Sequence, residues 1–369
     1  MPSHASALVD REDLRQQVDG RLRSVLAEQA DVLARISTDA EPLVDAWTQM
    51  LVGGKRLRAA FAYWSWRAHG GRPGTAEATA LVGVGAALEL FQAAALFHDD
   101  VMDRSDTRRG IPTAHRTFAA RHRDSGWSGD ADQFGLSSAI LLGDLSLVAS
   151  EDEFLRAVHE MPSAQTDPAR RLFTQMRTEV TVGQYLDMHA QMLPWTDDFD
   201  ADERRAREVV RSKSARYSVE SPILLGAALA GATTRQMEVC SAVGLPLGEA
   251  FQLRDDLLGA FGDPATTGKP AGDDLREGKR TLLVVRAMRA LDPGARTRLA
   301  SLLGAPDLTA ADVDEMQQTI RATGAPEEVE TLIETLSDSA LSALDASGLD
   351  GSAAETLTAL ALAAVQRAA

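Results

Sequence analysis

The sequence predicts an all-α fold, read as a single large helical domain over residues 1–369. Three observations carry this. Alanine and leucine dominate, while tyrosine occurs only three times and isoleucine is scarce, a balance that favours helix over sheet. Apolar residues recur at helical spacing along most of the chain, and no segment shows the sustained alternation of a half-buried strand. A hydrophobic share of 44% is that of a globular protein, too high for disorder.

In order, residues 8–37 read as an amphipathic helix through Leu14, Val18, Leu22, Val25, Leu26, Leu33 and Ile36. Residues 1–45 are taken as an N-terminal helical extension. Glu41 and Pro42 open a second helix. Gly53-Gly54-Lys55-Arg56-Leu57-Arg58 follows. Paired glycines let a backbone approach a ligand, and three basic residues beside them fit an anion, but a plain turn with solvated cations has the same pattern. Helix continues over 59–69, and a Gly/Pro loop leads to a long helix ending at Asp103. Residues 121–135 read as an exposed loop, with helix resuming at Leu136. Further helix is expected over 168–193, a break over 194–202, and helix again over 203–219, which carries Lys213 and Ser214. A helix over 235–261 stops at Gly262-Asp263-Pro264, and a polar Gly-Lys loop precedes Lys279-Arg280-Thr281, where helix reopens. Residues 292–369 show helical periodicity, at Leu332, Leu336, Leu341 and Leu344, and no chemistry.

The segment 78–97 is apolar and long enough for a membrane span. It carries Glu89 and Gln92 and runs into His98-Asp99-Asp100, so a buried helix and no transmembrane segment are expected. The formal net charge of -16 argues against nucleic acid as a partner. Cys240 is the only cysteine, compatible with a reducing, cytoplasmic setting, and the first ten residues lack the blocks of a signal peptide.

The chemistry gathers at two acidic stretches. Asp99, Asp100 and Asp103 end the long apolar helix, with Asp99 and Asp103 one turn apart on one face. Carboxylates so placed repel unless a cation sits between them. A hard ion such as Mg²⁺ suits them, since it takes one or two carboxylates plus substrate phosphates. Arg108 and Arg109 follow, and a guanidinium fork matches phosphate. The alternative is a solvated acidic helix end, which opposes the macrodipole. Asp255 and Asp256 make a second such site, trailed by Lys269. Brought together, the two would hold several Mg²⁺ ions with a diphosphate between them, Lys213, Lys269 and Arg108 adding positive charge.

In order and spacing from about Gly53 to Thr281, the chain resembles the trans-type isoprenyl diphosphate synthases. Asp99-Asp100-Val101-Met102-Asp103 with Arg108-Arg109-Gly110 resembles the family's first aspartate-rich motif, and Asp255-Asp256 with Gly268-Lys269 the second. Gly53 to Arg58 resembles its isopentenyl diphosphate motif. Gln184-Tyr185-Leu186-Asp187 and Lys213-Ser214 match two shorter ones.

The resemblance implies an all-α fold with a cavity between long helices, usually as a homodimer. It implies Mg²⁺, up to three ions per active site, and head-to-tail condensation of isopentenyl diphosphate with an allylic diphosphate (dimethylallyl, geranyl or farnesyl). Carried onto this sequence, Asp99, Asp103 and Asp255 are metal ligands, supported by Asp100 and Asp256. Arg108, Lys213 and Lys269 hold the allylic diphosphate near Gln184, Asp187, Ser214 and Gln252. Gly54, Lys55, Arg58, Gln92 and Arg109 hold isopentenyl diphosphate. Two departures stand out: Gly259 replaces a third aspartate common in the second motif, and Ala59 replaces a proline.

The helix before Asp99 is expected to act as a ruler. In the family, aromatics four and five residues upstream stop growth at fifteen carbons; here they are Ala95 and Ala94, and Phe91 stands roughly 12 Å above Asp99. The expected product is geranylgeranyl diphosphate, C20, the alternatives being C15, or C25 and longer. Rival readings are a terpene cyclase, a non-catalytic partner subunit, and a metal phosphohydrolase suggested by His98-Asp99. Lys55, Arg58 and Arg109 favour the condensing enzyme over a cyclase, which needs no isopentenyl site.

Overall fold

The computed structural model describes residues 10–262, 272–349 and 351–365. It is helical almost throughout, so the all-α expectation holds. The helices are α1 (Leu14–Ile36), α2 (Glu41–Leu51), α3 (Leu57–Ala68), α4 (Ala76–Met102), α5 (Ala114–Asp124), α6 (Ala131–Ala157), α7 (Ser163–Met192) and α8 (Phe199–Val209). A π-helix follows over Val210–Glu220, then α9 (Ser221–Leu229), α10 (Thr234–Phe261), α11 (Asp273–Glu277), α12 (Leu282–Ala290), α13 (Pro293–Leu302), α14 (Ala310–Ala322), α15 (Ala325–Asp345) and α16 (Gly351–Val365). Contacts within the chain group its residues into two compact units. One comprises 10–168, 225–231 and 351–360, the other 169–224, 232–262, 272–349 and 361–365.

In the first unit α4 is the central element. Thr75 caps it, its side chain accepting the Ala78 amide, and Leu81, Val84, Leu88 and Leu90 are fully buried. Each such side chain contributes about 1.5–3 kcal/mol by leaving water. Helices α1, α3 and α6 pack around it. The periodic residues of α1 from Leu14 to Leu33 are buried, so this helix is core and not an appendage; only Ile36, at its end, is exposed. Helices α4 and α6 are each long and apolar enough to cross a membrane by length and composition, and α4 is mostly buried within the protein.

The expected loop over 121–135 is shorter. Helix α5 runs to Asp124, and Asp130 starts α6 by accepting the Asp132 and Gln133 amides. His122, Trp127 and Phe134 pack edge-on or tilted across the turn, apolar contacts that a count of polar residues overlooks. A strand pair was not expected, yet β1 (Thr107–Arg108) and β2 (Ile111–Pro112) form a minimal hairpin. Arg109 and Gly110 turn it with φ of 54° and 77°, the positive pair that a type I′ turn requires.

The second unit is built on α10, against which the π-helix and α15 pack. Thr233 and Gln236 close a capping box at its start. Arg254 binds the Glu330 carboxylate through two nitrogens and donates to the Val365 carbonyl, at 3.1 Å. Helix reopens after Thr281 as expected, the Thr281 side chain accepting the Val284 amide. The break after α7 is shorter than read, because Asp198 caps α8 at Ala201. In α15 the buried positions are Ala325, Val329, Ile333, Ala340 and Leu344, so of the leucines that suggested the helix Leu344 is on the stripe, while Leu332, Leu336 and Leu341 are half-buried beside it.

Candidate active site

The first acidic motif occupies the last turn of α4. Asp103 is its C-cap, and its amide donates to the Asp99 carbonyl at 2.8 Å. Carboxylates at this end face the negative pole of the helix. Arg108 offsets part of that. Its Nε donates to Asp100 Oδ1 at 2.7 Å and its Nη2 lies 3.4 Å from Asp99 Oδ2. Asp100 is 1% exposed, so it buttresses the tip, whereas Asp99 and Asp103 remain partly open.

The hairpin sends its two arginines to different places. Arg108, on β1, turns to the carboxylates. Arg109, in the turn, donates from Nη1 to the Val52 carbonyl at 3.0 Å, joining the loop between α2 and α3. Lys55 and Arg58 belong to that loop and the helix start after it. Partial desolvation and then the positive charges of Arg108, Arg56 and Arg58 hold Arg109 below its ordinary value, although the residue is exposed overall. Lys55 is exposed, Arg58 and Gln92 half-buried. The hairpin turn carrying Arg109 is thus tied to the loop that carries Gly54 and Lys55.

Arg56 is different. It is 6% exposed with a left-handed φ of 55°, a conformation that costs a non-glycine residue about 1–3 kcal/mol. Its guanidinium binds Asp19 Oδ1 at 2.8 Å, Glu89 Oε2 at 2.9 Å and the Leu51 carbonyl at 2.5 Å. A Cβ on Gly54 would come within 2.3 Å of Arg56 Nη1. Gly54 therefore makes room for Arg56.

In the second unit Lys213 lies on the π-helix, and its Nζ donates to Asp187 Oδ2 on α7 at 2.6 Å. Ser214 is half-buried beside it. Gly183 and Gly248 let the π-helix lie close: a Cβ at 183 would meet the Lys213 amide nitrogen at 2.4 Å, and one at 248 the Ala215 carbonyl at 2.3 Å. Glu249 on α10 anchors its start, accepting from Arg207 at 2.8 Å and Arg211 at 2.5 Å. Buried Gln184 Nε2 has no hydrogen-bond partner among the described residues. Long π-helical stretches are rare and occur at functional sites.

The second motif does not end its helix. Asp255 and Asp256 stand inside α10, which continues to Phe261. Asp256 is buried, accepts from Gln252 Nε2 at 2.7 Å, and has its carboxyl pushed up to about 8 by burial and by the charges of Asp274 and Asp255. Asp274 was missed in the sequence. Its carboxylate lies against Gly259, where a Cβ would come within 1.9 Å of Oδ2. It thus fills the space where the third aspartate of the motif is absent. Lys279 Nζ is 3.5 Å from its Oδ1 and also pairs with Glu277. The available signal was Gly272-Asp273-Asp274 in the polar loop before Lys279. Lys269 and Asp263 lie outside the described residues.

These side chains fit Mg²⁺. All the candidate donors are carboxylate oxygens, the hard ligands this ion prefers. Around Asp256, burial first and then the charges of Asp274 and Asp255 push the carboxyl up, and a nearby divalent cation would favour its ionised form. Among the described residues no three His, Cys, Asp or Glu side chains already form a closed cage. Mg²⁺ is usually held by one or two carboxylates with substrate phosphates and water, not by an all-protein cage. His98 is not one of the donors: its Nε2 contacts the Ile140 carbonyl at 3.1 Å and its ring lies on Gly143.

The family model of polyprenyl synthetase matches residues 41–320. The chain is 33% identical to the geranylfarnesyl diphosphate synthase of Aeropyrum pernix over 74% of its length and 77% of that protein. It is 34% identical to the geranylgeranyl diphosphate synthase of Mycobacterium tuberculosis over 73% and 69%. Among solved structures, a geranylgeranyl pyrophosphate synthase from Corynebacterium glutamicum, complexed with isoprenyl diphosphate and magnesium, superimposes with a TM-score of 0.88. That pair is 37% identical, covering 96% of this chain and 99% of the other.

Proposed function

The chain belongs to the polyprenyl synthetase family and is a prenyltransferase of the isoprenyl diphosphate synthase type, and on that premise we propose that it is a Mg²⁺-dependent enzyme making geranylgeranyl diphosphate. The observation that carries the site assignment is the hairpin. Adjacent arginines are sent one to the acidic tip and one to the Lys55–Arg58 loop, which suits two diphosphates held side by side.

In this reading Asp99, Asp103 and Asp255 hold the metal, with Asp274 added to Asp100 and Asp256 as support. Bound Mg²⁺ would supply Lewis-acid stabilisation of the departing diphosphate. Arg108, Lys213 and Lys269 bind that diphosphate, and Asp187 keeps the Lys213 ammonium in place. Lys55, Arg58 and Arg109 orient isopentenyl diphosphate, with Gln92 beside them. The allylic C–O bond breaks, the isopentenyl double bond attacks the cation, and a proton passes to the released diphosphate. Water must be excluded, since it would trap the cation.

The C20 length rests on α4. Ala95 lies four residues before Asp99, hence on its face, and is partly accessible, while Ala94 is 2% exposed and packed within the protein. Phe91 is buried one turn further up. Ala95→Phe is expected to shift the main product from C20 to C15, read by chromatography of the dephosphorylated products; an unchanged length would remove Ala95 as a mark on the ruler. Relatives named for octaprenyl and nonaprenyl products are 31% and 32% identical, so overall similarity does not select a length.

A homodimer and a cytoplasmic setting complete the proposal. An exposed apolar stripe on α6 supports the former: Phe134, Leu141, Val148 and Leu155 recur every seventh residue, the period of a helix-pairing seam. One assay tests the function: protein, Mg²⁺, labelled isopentenyl diphosphate and a C5, C10 or C15 allylic primer, with the products sized. Incorporation with at least one primer is expected. No incorporation by folded protein with any primer would defeat the reading.

A further inference from the structure

We infer that Arg56, with its buried partner Glu89, is the positioning residue of the isopentenyl diphosphate site. This rests on the function proposed above and goes beyond it, since Arg56 was not among the residues assigned to substrate. Arg56 shares a six-residue motif with Lys55 and Arg58 but points the other way. Lys55 is exposed, whereas Arg56 is 6% exposed and its partner Glu89 5%.

Its guanidinium reaches three elements at once: α1 through Asp19, the end of α2 through the Leu51 carbonyl, and α4 through Glu89. Its own carbonyl accepts the Ala60 amide at 2.9 Å and so starts α3, the helix that carries Arg58. The residue after Leu51 is Val52, whose carbonyl receives Arg109. One side chain therefore fixes the backbone on which Lys55 and Arg58 stand and the loop to which Arg109 is tied. The left-handed backbone at Arg56 persists because these contacts over-determine it. Without them the peptide is free to relax, and the three cations lose their common register. Misplacing binding groups by about 1 Å is enough to cost up to 10²-fold in a reaction.

A lysine cannot replace this fork. Its single ammonium cannot span carboxylate, carboxylate and carbonyl in the geometry of a planar guanidinium. Glu89 is equally specific: it is an acid in the middle of an apolar helix, and Arg56 is its counter-ion. Gly54 completes the arrangement, because any larger residue would occupy the space of Arg56 Nη1.

The test compares Arg56→Lys, Glu89→Gln and Asp19→Asn with the wild type in the full chain. Kinetics are measured separately against isopentenyl diphosphate and against the allylic substrate, with Mg²⁺ saturating. Arg56→Lys is expected to raise KM for isopentenyl diphosphate about tenfold or more, with allylic KM and kcat within about twofold. Glu89→Gln should do the same, and Asp19→Asn, at the half-exposed arm, should give a smaller rise of the same kind. Asp19→Asn leaves the buried pair intact and so keeps the comparison available if a core variant fails to fold.

Calorimetric binding of isopentenyl diphosphate should weaken in parallel. A purely structural role would lower melting temperature and active fraction and leave both KM values alone. Unchanged isopentenyl KM in the folded variants, or equal rises in both KM values, would overturn the inference. Failure of the functional reading looks different, because the wild type itself would then neither bind isopentenyl diphosphate nor incorporate it.

Discussion

Asp103→Ala is expected to lower turnover by about a thousandfold while leaving the helical circular dichroism and the melting temperature at or above wild-type values. The loss of rate follows from removing one of the carboxylates proposed to hold the metal that neutralises the departing diphosphate. Removing a single electrostatic stabiliser of this kind commonly costs about 10²–10³ in kcat. The stability side has the opposite sign. Asp103 caps α4 at its C-terminal end, where a negative charge opposes the helix dipole by about 0.3–1 kcal/mol. The residue is partly exposed, so solvent screening reduces even that. Activity and stability should therefore part company, which separates a functional acid from a structural one. Steady-state turnover and a thermal melt on the same preparation check this. Wild-type turnover in the variant would remove Asp103 from the metal site.

Gly183→Ala is expected to have the second largest effect, through backbone. A methyl group at 183 would stand 2.4 Å from the Lys213 nitrogen and 2.7 Å from its Cα. No side chain can swing away to relieve that contact, since the obstructing atoms are main chain. Overpacking of this sort costs about 1–3 kcal/mol. The π-helix must shift, carrying Lys213 out of line with Asp187, and turnover should fall about a hundredfold, in keeping with the penalty for misplaced catalytic groups. Val182→Ala is the control, being next in sequence but 49% exposed on the same helix. A melting temperature and turnover equal to those of the control would show that the π-helix is not held as close as the structure places it.

Helix identity was legible because periodicity and the Gly, Pro and cap residues agree over most of the chain. The boundaries missed by the sequence reading were those set by side chains meeting across a turn, as with His122, Trp127 and Phe134, or by caps such as Asp130 and Asp198. The acidic and basic motifs were legible from type and spacing. What sits behind them was not. Arg56 and Lys55 look alike as neighbours in a basic run, and only the three-dimensional position of Glu89 and Asp19 makes Arg56 a buried strut while Lys55 is exposed. Likewise Asp274 reads as loop polarity until its carboxylate is found against Gly259. The π-helix gave no signal at all, because its register depends on glycines from two other helices.

The contact between Gly259 and Asp274 couples what each of these two positions can hold. A mutation that restores an acid at 259 would collide with the carboxylate already in that space, and one that shortens residue 274 alone would leave the motif an acid short. The two changes are in contact, so their effects are expected to be non-additive. A designer transplanting either motif into another scaffold should therefore carry its counterpart along.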